Sequence, residues 1–319
     1  MAESFSLAGK RVFVAGHKGM AGSAIVRRLA REKCEIVVAD RGELDLMRQA
    51  QVESWMSAKR PDAVFFAAAK VGGINANNTR PAEFLYENLM IECNVIHAAW
   101  QAEVKKLLFL GSSCIYPRET AQPIAESSLL TGPLEPTNEG YAVAKIAGIK
   151  LCQAYRRQYG CDFISAMPTN LFGSGDRYDL AHGHVVAALI MKIHAAKVGT
   201  AKTVELWGSG SPLREFLFSD DMADGCVFLM KNYSDLPHVN LGTGTEMSIC
   251  ELAEAIAKIA GWSGTFTYDT SKPDGMMRKV MDVSRMRDMG WTARTEFTDG
   301  MRIAYDWYVA NVTRTAAAC

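Results

Sequence analysis

Short, predominantly apolar runs alternate with segments of helical periodicity through the first half of the chain. Arg11 to Ala15, Glu35 to Ala39, Ala63 to Ala67, Lys106 to Leu110 and Asp162 to Ala166 have the length and composition of strands buried on both faces of a parallel sheet. Between them, Ser23 to Ala30, Ala82 to Trp100 and Tyr141 to Tyr159 repeat apolar residues at the spacing of one helix face. Strands that alternate with helices predict a doubly wound parallel sheet, an α/β fold. Past residue 170 the texture changes. Glycine and polar residues concentrate from Gly173 to Gly183, His184 to Lys197 reads as a helix, and Thr203 to Phe218 carries strand-like pieces. The last of these pieces and the helix after Asp220 are expected to return to the main sheet, because Val239 to Gly242 reads as another buried strand. Ser248 to Ala260 and Thr298 to Asn311 are amphipathic. The pattern predicts one body over residues 1–170, with a return segment near 216–242, and a smaller, discontinuous lobe formed mainly by 171–319. The tail from Thr313 to Cys319 is expected to fray.

Composition narrows the function. The 319 residues are 49% hydrophobic, ample for a core, and 35 basic residues balance 35 acidic ones. With no run of Lys and Arg, nucleic acid is excluded as an expected partner. The eight cysteines show no C-x-x-C spacing and read as reduced thiols rather than disulfides or a zinc site. No apolar run reaches the length of a membrane span, and the first strand begins without a signal sequence, so a cytoplasmic protein with no membrane partner is expected.

The first strand ends in Gly16-His-Lys-Gly19-Met-Ala-Gly22 and a helix follows. Strand, glycine turn and helix in that order bring the backbone and the positive end of a helix close to a diphosphate, so Gly16, Gly19, Met20 and Gly22 are expected to bind a dinucleotide. The second strand ends at Asp40-Arg41. An acidic residue there favours a ribose 2′-hydroxyl and NAD, whereas an arginine accommodates the 2′-phosphate of NADP, and both are present. Glu43 to Leu46 reads equally well as an adenine-edge segment and as a turn into the next helix.

Tyr141 and Lys145 lie four residues apart in a helical segment, so the phenol and the ammonium share one face. A free tyrosine has a pKa of roughly 10, and a neighbouring cation lowers it, which lets the phenol exchange a proton near neutral pH. Ser112, two residues past the fourth strand, supplies a hydroxyl to hold a carbonyl against that phenol. These groups are the equipment for reducing a ketone. In a doubly wound sheet ligands bind at the carboxyl ends of the strands, where Gly16 to Gly22, Ala67 to Asn75, Ser112 to Tyr116 and Pro168 to Gly173 all fall.

Leu110 to Pro117, Leu134 to Gly148, Met167 to Gly173 and Trp207 to Phe216 resemble motifs of the GDP-L-fucose synthase family, the GDP-4-keto-6-deoxy-D-mannose 3,5-epimerase/4-reductases, which are extended short-chain dehydrogenase/reductases of Rossmann fold. The G-x-x-G-x-x-G spacing resembles the same group, and the likeness runs from about Arg11 to Asn311. It implies NADPH-dependent conversion of GDP-4-keto-6-deoxy-D-mannose to GDP-L-fucose, with Cys114 as base and His184 as acid at C3 and C5. Ser112, Tyr141 and Lys145 then reduce C4, and Lys145 and His184 also count as cofactor contacts. A free cysteine is only a few per cent thiolate at pH 7, so a cationic neighbour such as His184 is needed. By the same likeness Lys192, Trp207 and Arg214 meet the guanine and diphosphate, Asn170 lies near the sugar, Arg278 adds charge, and the enzyme forms a homodimer through two helices that include the Tyr141 helix. The chain departs from the family pattern where Gly183 precedes His184 in place of Asn-Ser, and where Met191-Lys192 stands in place of paired arginines.

Other readings fit less of the sequence. A 4-epimerase that retains NAD needs neither Cys114 nor His184, a dehydratase tends to carry an acid near the Cys114 position, and a non-catalytic NADP-sensing protein can lose the Tyr or the Lys, both present here. His182 and His184 lack a carboxylate or cysteine at metal-ligand spacing.

Overall fold

A computed structural model describes residues 5–180, 183–272 and 274–313. In chain order the first body runs β1 (Arg11–Ala15), α1 (Met20–Leu29), β2 (Glu35–Val37), α2 (Gln49–Lys59), β3 (Ala63–Phe66), α3 (Ile74–Thr79), α4 (Pro81–Gln101), β4 (Lys106–Leu110), α5 (Glu139–Tyr159) and β5 (Asp162–Pro168). There follow β6 (Asn170–Phe172), α6 (Val185–Val198), β7 (Thr203–Trp207), β8 (Leu213–Arg214), β9 (Phe216–Phe218), α7 (Ser219–Asn232) and β10 (Val239–Leu241). The chain closes with β11 (Met247–Ser248), α8 (Ile249–Ala260), β12 (Thr265–Asp269), β13 (Arg278–Lys279), α9 (Ser284–Asp288) and α10 (Phe297–Tyr308).

Six strands form one parallel sheet in the order β10-β5-β4-β3-β1-β2. Alternate residues of each strand feed different cores, the period-two signature of a strand. Val12, Val14, Phe65, Leu108 and Ile164 pack with α1 and α7, while Phe13, Val64, Phe66, Phe109 and Phe163 pack with α2, α4 and α5. Burial on both faces explains why the strands read as continuous apolar runs. The order of crossovers reverses between β1 and β3, whose carboxyl ends therefore border the crevice where such sheets take ligands.

A third apolar core joins α6, α8 and α10 to Val204, Leu206, Phe172, Phe216 and Phe218. Short ladders brace it: β12 with β7, and β11-β8-β13. One expectation needs correcting here. Phe216–Phe218 does not return to the six-stranded sheet but pairs in parallel with Asn170–Phe172. Its three side chains are all buried, with Phe216 and Phe218 in the third core and Leu217 in the first, so a short bridging ladder serves both. Among the described residues no helix is long and apolar enough to cross a membrane.

Candidate active site

At the end of β1 the backbone of Gly16 turns with φ 88°, and a Cβ there would lie 2.7 Å from the Ala68 nitrogen, just past β3. At Gly22 a Cβ would come within 2.1 Å of the Gly16 carbonyl oxygen. Both positions require glycine, because any side chain would push the turn off the sheet. Gly19 differs: its nearest such contact is 3.5 Å, an ordinary separation, and it serves as the N-cap of α1 without a side-chain cap. The first amides of α1, from Met20 onward, thus keep their donors for a ligand from outside the chain. The cradle fits a diphosphate.

Beyond β2, the Asp40 carboxylate pairs with Lys18 Nζ at 2.7 Å and His17 Nε2 at 3.2 Å. The Lys18 bond holds its carboxyl below the usual carboxylate range. Asp40 is therefore offset by two residues of the glycine turn, and Arg41 beside it is exposed.

The chemical groups gather at the end of β4. Ser112 begins a single 3-10 turn over Ser113–Ile115, and its Oγ accepts from the Cys114 amide at 3.3 Å. The turn is anchored behind by Tyr116, whose hydroxyl meets Asn240 and, at 3.0 Å, His238 Nε2. Asn138, the N-cap of α5, donates from Nδ2 to Cys114 Sγ at 3.4 Å. Tyr141 and Lys145 follow on α5. Lys145 is buried, bonds the Leu110 carbonyl at 3.1 Å, and sets Nζ 5.9 Å from the Tyr141 ring.

The expected lowering of the Tyr141 pKa by Lys145 is not what the chain alone does. Burial pushes the phenol up, Cys114 and Glu92 push the same way, and only Ser112 pulls it down. The physical reason is first burial, with the Cys114 and Glu92 charges adding to it, and Lys145 spends its own charge on Glu92 at 3.2 Å. Tyr141 is thereby kept as a phenol, the form that gives a proton.

His184 is the N-cap of α6, and no hydrogen bond or ion pair among the described residues joins it to Cys114. Its nearby charge acts on Asp176, whose carboxyl burial pushes up while His184 pulls down. His182, the other half of the metal pair considered above, and residues 314–319 of the tail lie outside the described residues.

The expected nucleotide contacts divide. Lys192 Nζ lies 5.5 Å from the centre of the Trp207 ring and donates to the Glu205 carbonyl at 2.9 Å, and Lys272 flanks the same ring at 5.8 Å. Trp207 is 57% exposed, so a flat indole with cations beside it faces solvent. Arg214 bonds the Leu213 carbonyl at 2.8 Å, and it lines a cavity of about 420 Å³ with Phe216, Thr243 and Glu246. That cavity touches none of Ser112, Cys114, Tyr141 or Lys145, so it is not where the chemistry sits. Asn170 Nδ2 is committed to the Glu215 carbonyl at 2.8 Å. Arg278 is held by Glu246 through Nε at 2.8 and 2.9 Å, which offsets the positive charge expected of it. Three participants escaped the sequence reading. Lys18 and Asn138 lay inside motifs but were not singled out, and Glu92 was legible as a lone carboxylate on the buried face of α4 that carries Phe84, Val95 and Ala99.

The family model described as the NAD dependent epimerase/dehydratase family matches residues 12–242. The chain is 56% identical over 308 residues to a GDP-L-fucose synthase of Sinorhizobium fredii, covering 97% of this chain and 98% of that one. It is 50% identical to the GDP-L-fucose synthase of Escherichia coli, covering 96% of this chain and 98% of that one. A crystal structure of a GDP-L-fucose synthetase from Naegleria fowleri bound to NADP superposes with a TM-score of 0.90 at 26% identity, covering 98% of each chain.

Proposed function

This chain belongs to the NAD dependent epimerase/dehydratase family, and from that premise we propose that it converts GDP-4-keto-6-deoxy-D-mannose to GDP-L-fucose, inverting C3 and C5 before reducing C4. The observation that carries the reading is the placement of Cys114 Sγ, beside the Asn138 amide, within one turn of Ser112 and close enough to Tyr141 to shift its ionisation. A ketone reductase alone has no use for that thiol. The C4 carbonyl acidifies the hydrogens on C3 and C5, so a base and an acid can invert both centres through enolates. In each inversion Cys114 takes the proton as the thiolate and His184 returns one from the opposite face, and both groups exchange protons with solvent before the next. Ser112 holds the C4 oxygen by a hydrogen bond, and Tyr141 protonates that oxygen as reduction proceeds. NADPH, held by Gly16, Gly19, Met20, Gly22 and Arg41, with Lys145 and His184 as further contacts, supplies the hydride when bound.

The choice of NADPH follows from charge. Lys18 offsets Asp40, which leaves the Arg41 guanidinium to meet a 2′-phosphate without an opposing carboxylate. The nucleotide of the substrate is recognised by the lobe formed mainly by residues 171–319: Trp207 covers the base, Lys192 and Arg214 meet the diphosphate, and Asn170 lies near the sugar. A homodimer through α4 and α5 is supported by Tyr86, Val143 and Tyr159, large apolar side chains left exposed on those helices. Free cysteines throughout the described residues support a cytoplasmic location. The test is to offer the ketosugar with NADPH and follow both absorbance and product. Stoichiometric oxidation to GDP-L-fucose is expected; untouched NADPH refutes the reductase, and a product that keeps the D-manno-type configuration at C3 or C5 refutes the epimerase.

A further inference from the structure

The buried face of α4 carries a carboxylate where apolar packing would be expected. Glu92 is 1% exposed, between Asn88 and Ile96 on the same face. A buried charge is expensive unless paired, and the pair here is Lys145 Nζ at 3.2 Å. Neither Glu92 oxygen makes a well-formed hydrogen bond among the described residues, so the ion pair alone compensates it. The approach depends on Gly148, nearly one turn past Lys145: a Cβ there would stand 2.9 Å from Glu92 Oε2 and 2.4 Å from the Phe109 ring. Lys145 is pinned from the other sides by the Leu110 carbonyl at 3.1 Å and the Phe109 ring at 4.6 Å.

We propose that Glu92 is a positioning residue for the reduction: its carboxylate fixes Lys145 and offsets the ammonium charge, so that Tyr141 holds its proton until the substrate oxygen takes it. The inference rests on Tyr141 being the proton donor. An uncompensated ammonium favours phenolate, the form that suits oxidation of an alcohol; a reductase needs the phenol. Burial pushes the Glu92 carboxyl up to about 7, so the carboxylate that offsets Lys145 is fully formed only above that pH. The groups that share its surroundings are Lys145, Tyr141 and Cys152 on α5 and Cys93 on α4. Burial pushes both thiols up, which leaves Tyr141 as the group whose ionisation the Glu92 charge reaches.

Glu92→Gln keeps the volume and removes the charge. The alkaline limb of the kcat/KM profile for NADPH-dependent reduction should then lie about one pH unit or more below that of the native enzyme, the effect of an ammonium left without its counter-ion. KM for the GDP-sugar should not change, and Glu92→Asp, which restores the charge, should return the limb toward the native position. Coincident limbs in native and Glu92→Gln enzymes overturn the proposal, as does an Asp variant no better than the Gln variant. Tyrosinate absorbance, taken as the difference between each protein and its Tyr141→Phe counterpart with NADP+ bound, reads the same ionisation without substrate. It separates two failures: a native enzyme that leaves NADPH untouched refutes the proposed reaction, whereas equal Tyr141 ionisation with and without the Glu92 charge refutes the role of Glu92.

Discussion

Lys145 and Trp207 are held in opposite ways. The lysine is 2% exposed and fixed by an ion pair, a carbonyl and an aromatic ring. The indole is 57% exposed, with the long, flexible Lys192 and Lys272 beside it. The first region is preorganised by the sheet and by packing between α4 and α5, and its groups hold their geometry before any ligand arrives. The second is spread over short ladders and lies open to solvent. Preorganised groups act on the transition state, so their loss lowers kcat, whereas open contacts made equally in ground and transition states change KM alone.

The largest effect expected from that contrast is at Tyr141. Tyr141→Phe should reduce C4 about 10² to 10⁴ times more slowly while NADPH still binds, the usual loss for a positioned proton donor. An unchanged rate would show that the proton comes from elsewhere. At the cofactor's ribose the effect is smaller. Arg41→Ala should narrow the preference for NADPH over NADH by about tenfold or more, the worth of one charge-assisted bond, and equal kcat/KM ratios in the two proteins would place the 2′-phosphate elsewhere.

Contacts in the open region should move by less. Lys192→Arg restores a fork of donors and is expected to lower KM for the GDP-sugar several-fold with kcat little changed, roughly one added hydrogen bond. If KM stays constant there and rises sharply in Arg214→Ala, the diphosphate is held by Arg214 instead. The smallest effect concerns stability. Burial lowers the His238 pKa to about 4, against an ordinary 6.5, so the folded chain holds it neutral. Its stabilising share is complete above 6.5 and is lost as pH falls through 4. Thermal unfolding from pH 7 to 4 should therefore show a Tm loss that His238→Asn reduces; parallel curves for the two proteins would remove His238 as a cause.

The same contrast explains what the sequence could disclose. β1, β4 and the glycine turn were legible because a parallel strand must be apolar throughout, and because Gly16 and Gly22 admit no side chain. Tyr141, Lys145 and Ser112 were legible because helical spacing and strand ends determine which residues meet. The Glu92 partnership was not, since it depends on two helices meeting across Gly148. The pairing of Phe216–Phe218 with Asn170–Phe172 was missed for a related reason: a three-residue apolar strand carries no information about which edge it joins. Arg278 looked available because Glu246, 32 residues away, has no local signal to mark it as a counter-ion.

The account's central claim is that separate groups around one ketone move the carbon-bound protons and reduce the carbonyl. The most direct test is deuterium incorporation from solvent into GDP-4-keto-6-deoxymannose, measured for Tyr141→Phe and Cys114→Ser. Tyr141→Phe should label C3 and C5 while consuming almost no NADPH, and Cys114→Ser should label neither. Normal labelling by Cys114→Ser, or none by a folded, NADPH-binding Tyr141→Phe enzyme, would contradict it.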